Sequence, residues 1–103
     1  MQTNDMIVAL SGGRVGIHAG TERFYLIPDD IAMLLVFGKE VPLYQESGII
    51  DAEASAFQHP HKKGIVISIL EEVWLIPRET FIGLAHGTVP ESIMEPMEWR
   101  GAA

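Results

Sequence analysis

The sequence predicts a β-rich α+β fold: two tandem β-β-(β)-α repeats with pseudo-twofold symmetry, sharing one core. Three observations lead there. The chain has 103 residues, 48% hydrophobic and 20% charged, which fits one globular domain over 1–103. The stretch FYLIPDDIAMLLVFG (24–38) overlays VWLIPRETFIGLAHG (73–87) without a gap at an offset of 49. Each copy also switches from the short apolar runs of strands to a segment of helical length closed by glycine.

The overlay places Leu26-Ile27-Pro28 on Leu75-Ile76-Pro77, Tyr25 on Trp74, Leu35 on Leu84 and Gly38 on Gly87. Within each copy RFYLIP and EVWLIP read as strands, apolar on both alternating faces and so suited to cover on both sides. Proline then ends the strand, because it has no N–H for a ladder, and it is favoured at the first helical position. Asp29-Asp30 and Glu79-Thr80 follow, and carboxylates suit the positive end of a helix. Helices are expected over about 29–37 and 78–86, with Gly38 and Gly87 as left-handed C-terminal caps. Upstream, RVGIHAGTERFYLI and GIVISILEEVWLI each read as strand, turn, strand. MIVAL and ASAFQ are candidates for a third strand in each copy.

These readings set the repeats at about 6–42 and 55–90, with a connector at 44–55 and a C-terminal tail at 91–103. IDAEASAF within the connector also has the pattern of a helical turn capped by Asp51.

The formal net charge is −7 with seven scattered cations, of which only Lys62-Lys63 are adjacent. That disfavours general affinity for nucleic acid or anionic lipid, both of which need clustered positive charge. Without cysteine there are no disulfides, thiolate nucleophiles or thiolate metal sites. The N-terminus lacks the basic and apolar regions of a signal peptide, and the longest apolar run, Ile31 to Phe37, is too short to span a bilayer. A cytoplasmic protein without a membrane partner is expected.

IVALSGGRVG (7–16) ends an apolar run in Ser11-Gly12-Gly13 and resembles the start of the pyrophosphatase-loop nucleotide-binding family. In that family the loop continues to Asp-Ser and opens into a helix whose amides hold phosphate. Here Arg14, Val15 and Gly16 follow, and their pattern favours a strand. The reading preferred is a turn between two strands, with glycine supplying positive φ.

Four further features bear on function. His59 and His61 flank Pro60 at i, i+2, so in extended chain both imidazoles share a face and are candidate metal ligands. No third ligand at a fixed spacing accompanies them, and no cofactor is indicated. Tyr25 and Trp74 each join an apolar body to a polar tip, which makes them candidate ligand-binding residues between the repeats, with paired core aromatics as the plainer reading. No carboxylate pair or serine elbow gives a catalytic arrangement, so no enzyme is expected. Finally, IAMLLVF is apolar at seven consecutive positions, although a surface helix needs a polar face. Ile31, Met33, Leu34, Val36 and Phe37 are therefore the expected oligomer interface, most simply of a homodimer.

The strand, Ile-Pro, short helix, Gly rhythm also resembles the swapped-hairpin DNA-binding regulators. That likeness implies basic residues at the strand–helix junction, where copy one has Asp29-Asp30. The expected function is a non-catalytic, self-associating interaction module with an unidentified protein partner. The alternatives are a ligand or metal sensor with its site between the repeats and, third, a swapped-hairpin-like transcription regulator.

Overall fold

Alternation of buried and exposed residues along short β-branched runs dictates most of the architecture. A computed structural model describes residues 5–98. The strands are β1 (Met6–Ala9), β2 (Val15–Ala19), β3 (Glu22–Leu26), β4 (Val41–Gln45), β5 (Ile50–Gln58), β6 (Gly64–Ile69), β7 (Glu72–Pro77), β8 (Glu91–Ile93) and β9 (Glu95–Pro96). Helix α1 (Pro28–Phe37) follows β3, and α2 (Arg78–His86) follows β7. The result is a small β-rich α+β domain of nine antiparallel strands and two helices.

The sheet runs β8-β1-β2-β3-β4-β5-β6-β7-β9. Its two outermost strands are separated in the chain by Met94 alone. Residues 91–93 pair with β1 and residues 95–96 with β7, so the sheet closes on itself. Inside lie Ile7, Val15, Ile17, Phe24, Leu26, Leu43, Ala56, Ile65, Ile67, Trp74, Ile76 and Met94. The helices add Ile31, Leu34, Phe81 and Leu84 to the same cluster.

Both helix ends behave as the sequence requires. Pro28 opens α1, Asp29 and Asp30 occupy its first turn, and Gly38 ends it at φ 65°. Gly87 ends α2 at φ 79°. Ser11–Gly13 is a single 3-10 turn joining β1 to β2, with Gly12 and Gly13 at φ 74° and 78°. The chain leaves that turn as a strand, so no helix N-terminus stands there to hold phosphate.

Three expectations are corrected. The segment 50–58 is strand β5, neither a helical turn nor a loose connector, because Ala54 and Ala56 must alternate inward opposite Ile69 and Ile67. The expected tail from 91 onward is strand as far as 96, since the open edges of β1 and β7 need partners. RFYLI is not covered equally on both faces: Phe24 and Leu26 point inward, whereas Tyr25 is half-buried on the outside.

The overlay at offset 49 also slips by one residue in the strands. In the β2–β3 hairpin Ile17 pairs with Phe24 and Ala19 with Glu22. In β6–β7 Ile67 pairs with Trp74 and Ile69 with Glu72, each position fifty later. The shared Leu-Ile-Pro therefore sits on opposite faces in the two strands: Leu26 is inside and Leu75 half-buried outside, while Ile76 is inside. A one-residue slip inverts every side chain of a strand. Ile31 and Leu34 correspond in the same way to Phe81 and Leu84. The offset returns to 49 at Gly38 and Gly87 because α2 has 9 residues and α1 has 10.

The two-residue turns match as well. Gly20 has φ 61° and Leu70 has φ 56°, the latter being the positive-φ non-glycine residue among those described. A left-handed L-residue costs roughly 1–2 kcal/mol, offset by roughly 0.5–1 kcal/mol of extra chain entropy when glycine replaces it. Leu70 is 66% exposed and has little packing to lose. Leu70→Gly is expected to raise the unfolding free energy by about 0.5–1 kcal/mol, read as a higher denaturant midpoint at unchanged slope. A lower midpoint would mean that the Leu70 side chain outweighs its backbone strain.

Candidate functional site

The two helices leave a cleft where the C-terminal end of α1 faces the N-terminal end of α2. Its volume is about 770 Å³. Leu35, Val36 and Gly38 come from the end of α1, and Gln58 from the end of β5. Lys62, Lys63 and Gly64 come from the loop into β6, and Pro77, Arg78 and Glu79 from the β7–α2 junction.

Local structure explains why these groups converge. Helix α1 has no basic residue in its last turn; the Gly38 and Lys39 amides cap the Leu34 and Met33 carbonyls, and side chains from elsewhere add further donors. Gln58 Nε2 donates to the Leu34 carbonyl at 2.7 Å, and Arg78 Nη2 reaches the Leu35 carbonyl at 3.5 Å. The Arg78 amide donates to the Lys63 carbonyl at 3.0 Å, tying the loop to the start of α2. Pro77 occupies the N-cap without a side-chain hydrogen bond to the first turn. Gly64 is required where the loop enters β6: a Cβ there would stand 2.6 Å from Leu75 Cδ1 and 3.1 Å from the Ile76 carbonyl.

The loop is also closed by His59. Its backbone N–H donates to the Gly64 carbonyl at 2.9 Å. Its ring Nδ1 accepts the amides of His61 and Lys62 at 3.0 and 3.1 Å. That ring nitrogen is committed to the backbone, so it is not open to a metal without breaking the loop. His61 is exposed, with its ring edge-on to His59 at 6.2 Å. Among the described residues no group of three or more His, Cys, Asp or Glu side chains is placed to hold a metal ion.

Tyr25 and Trp74 are not brought together. Trp74 is buried inside the closed sheet, and its indole N–H donates to Asp5 Oδ2 at 3.0 Å, so the protein itself satisfies the polar tip. Tyr25 lies outside, stacked on Tyr44 at 5.6 Å with the Arg14 guanidinium 5.4 Å from its ring centre. Arg14, His18, Arg23 and Tyr25 line a second hollow of about 260 Å³, below the range of roughly 300–1,000 Å³ usual for ligand sites.

The expected interface residues divide. Ile31 and Leu34 belong to the core, so they are corrected out of any intersubunit surface. Met33 packs half-buried against that core. Val36 and Phe37 stand 71% and 68% exposed. At the other end of α1, desolvation and then the neighbouring Asp29 raise the Asp30 pKa above the ordinary carboxylate value.

Sequence reasoning did not single out Gln58, Gly64 or Arg78 as site residues. The available signal was Lys62-Lys63, the one adjacent pair of cations in an acidic chain.

Burial holds the His59 pKa below the ordinary histidine value, helped by the charges of Lys62 and His61. A depressed folded-state pKa contributes stability that is complete above the unfolded value and lost as pH falls through the folded one. Protonation converts the Nδ1 acceptor into a donor and releases both amides. The His61 and Lys62 amides should therefore lose hydrogen-exchange protection as pH is lowered through and below the ordinary histidine range, while the β6–β7 ladder stays protected. Protection unchanged across that range would show that Nδ1 does not hold the loop.

No family model matches the chain, and no curated protein and no solved structure matches it.

Proposed function

We propose that the chain is a non-catalytic binding module, built from two copies of one β-β-β-α-β unit, whose ligand site is the cleft between the copies. The observation that carries this reading is the cleft of about 770 Å³ walled by both halves of the chain. Its size lies within the usual range for small-molecule sites, and its lining sets Leu35, Val36 and Pro77 beside polar and charged groups. The matching registers of β2–β3 and β6–β7 support duplication. So does the use of β4 and of β8–β9, each following a helix and bridging to the other half.

Self-association is the second reading, favoured by the exposure of Val36 and Phe37 on neighbouring positions of α1. A swapped-hairpin DNA-binding role draws no support from Asp29 and Asp30 in the first turn of that helix.

Two measurements follow. A fragment library titrated into isotope-labelled protein should move the amides of Val36, Gln58, Gly64 and Glu79 together. Fragments that shift only the Tyr25–Tyr44 face would place the ligand site elsewhere. For self-association, sedimentation of the unmodified chain should give a dimer in the micromolar range, and Phe37→Lys a monomer with the same circular dichroism. Burying one such side chain is worth roughly 1.5–3 kcal/mol, so losing two per dimer should weaken it by at least tenfold. A monomer at every concentration would remove the second reading.

A further inference from the structure

We propose that the cleft takes a small organic anion, a phosphate or carboxylate joined to an apolar group; this rests on reading the cleft as the ligand site. The chain carries fourteen acidic and seven basic residues, yet the charged groups lining the cleft are Lys62, Lys63 and Arg78 against Glu79 alone. The sign of the charge is therefore reversed at this cleft, as it also is at the smaller Arg14–Arg23 hollow, where Glu46 is the acidic residue. A cleft with low-dielectric walls focuses such a field.

The groups are arranged for different tasks. Lys62 and Lys63 are exposed, so their ammonium groups are solvated in the free protein and able to turn toward an entering charge. Arg78 is half-buried and held against the Leu35 carbonyl, which fixes its stem at the cleft wall. The first turn of α2 has no side-chain cap, and its positive end faces the same space. Val36 and Pro77 supply the apolar wall for the rest of the ligand. The carboxylate of Glu79 disfavours a highly charged ligand that fills the whole cleft and leaves room for one with a single anionic end.

The test uses the full chain labelled for NMR and four probes of similar size: phenyl phosphate, benzoate, benzylamine and benzyl alcohol, with inorganic phosphate as a fifth. Phenyl phosphate and benzoate should shift the amides of Gly64, Arg78 and Glu79, with an affinity that falls as salt is raised. Inorganic phosphate should bind more weakly, because it lacks the apolar part. The double variant Lys62→Glu, Lys63→Glu should raise the Kd of both anions by about tenfold or more while circular dichroism stays unchanged. Stronger binding of phenyl phosphate than benzoate would assign phosphate as the anion, and the reverse would assign carboxylate. If benzylamine or benzyl alcohol binds the cleft as well as the anions do, or if salt and the double variant have no effect, the anion assignment is overturned and the cleft remains a ligand site. If the fragment library and all five probes leave the cleft amides unmoved, the ligand-site reading itself falls.

Discussion

Strand pairing by residues 91–96 is the constraint on which the rest of the molecule depends. Without it β1 and β7 would each present a row of unpaired amides and carbonyls, and an open sheet edge invites association. One short segment serves both edges. Val8 pairs with Glu91 and Met6 with Ile93 on one side, and Leu75 with Glu95 and Trp74 with Pro96 on the other. Where the segment passes between the edges, the Met94 amide donates to the Asp5 carbonyl at 2.9 Å and its side chain enters the core. Asp5 also accepts the Gly20 amide through Oδ1 and the Trp74 indole through Oδ2, at 2.9 and 3.0 Å. The first described residue thus ties the turn of the first hairpin to the core aromatic of the second, at the seam where the sheet closes.

The inward side chains of the sheet pack with both helices into one buried cluster. The cleft lies outside that cluster, where the helices meet the rim. The α1 end and the α2 start meet in this way because each helix leaves its strand at a proline and the two strands belong to opposite halves of the sheet. Gln58 and Arg78, both from the second half, satisfy carbonyls of α1 from the first. These side-chain bonds add to the Gly38 cap and link the end of α1 to the second half of the chain across the cleft.

The fold was largely legible in the residues. Alternating β-branched runs, proline after each long strand and glycine after each helix place both helices to within one residue, and the turn at Ser11–Gly13 follows from its two glycines. The failures have physical causes. Leu-Ile-Pro is identical in the two segments but plays different parts: Pro28 is the first residue of its helix, whereas Pro77 is the last residue of its strand. Identity of letters carries no information about which face of a strand a residue takes. The closing strand was hidden because ESIMEP has prolines at and beside its ends, and its pairing is with segments far away in sequence. The site was less legible still, since its members lie on four separate pieces of chain and only Lys62-Lys63 stood out. The pairing of Tyr25 with Trp74 misled for the same reason as the proline, a one-residue slip.

The seven apolar residues of α1 raise a question that the closed sheet answers only in part. Ile31 and Leu34 face the core and Met33 and Leu35 lean on it, which accounts for an inward stripe of ordinary width. Val36 and Phe37 remain outside, in the last turn, beside the cleft. Their position separates them from the folding requirement, because a polar residue at either place would leave the core unchanged. Val36 is common to both proposed surfaces, so the two proposals together predict linkage between ligand binding and self-association. A ligand that covers Val36 removes part of the apolar area from a dimer contact, and a dimer that covers it narrows the entrance for the ligand. Linkage makes that effect reciprocal and equal in free energy. Under the two proposals, antagonism would follow from this shared residue without any change of conformation.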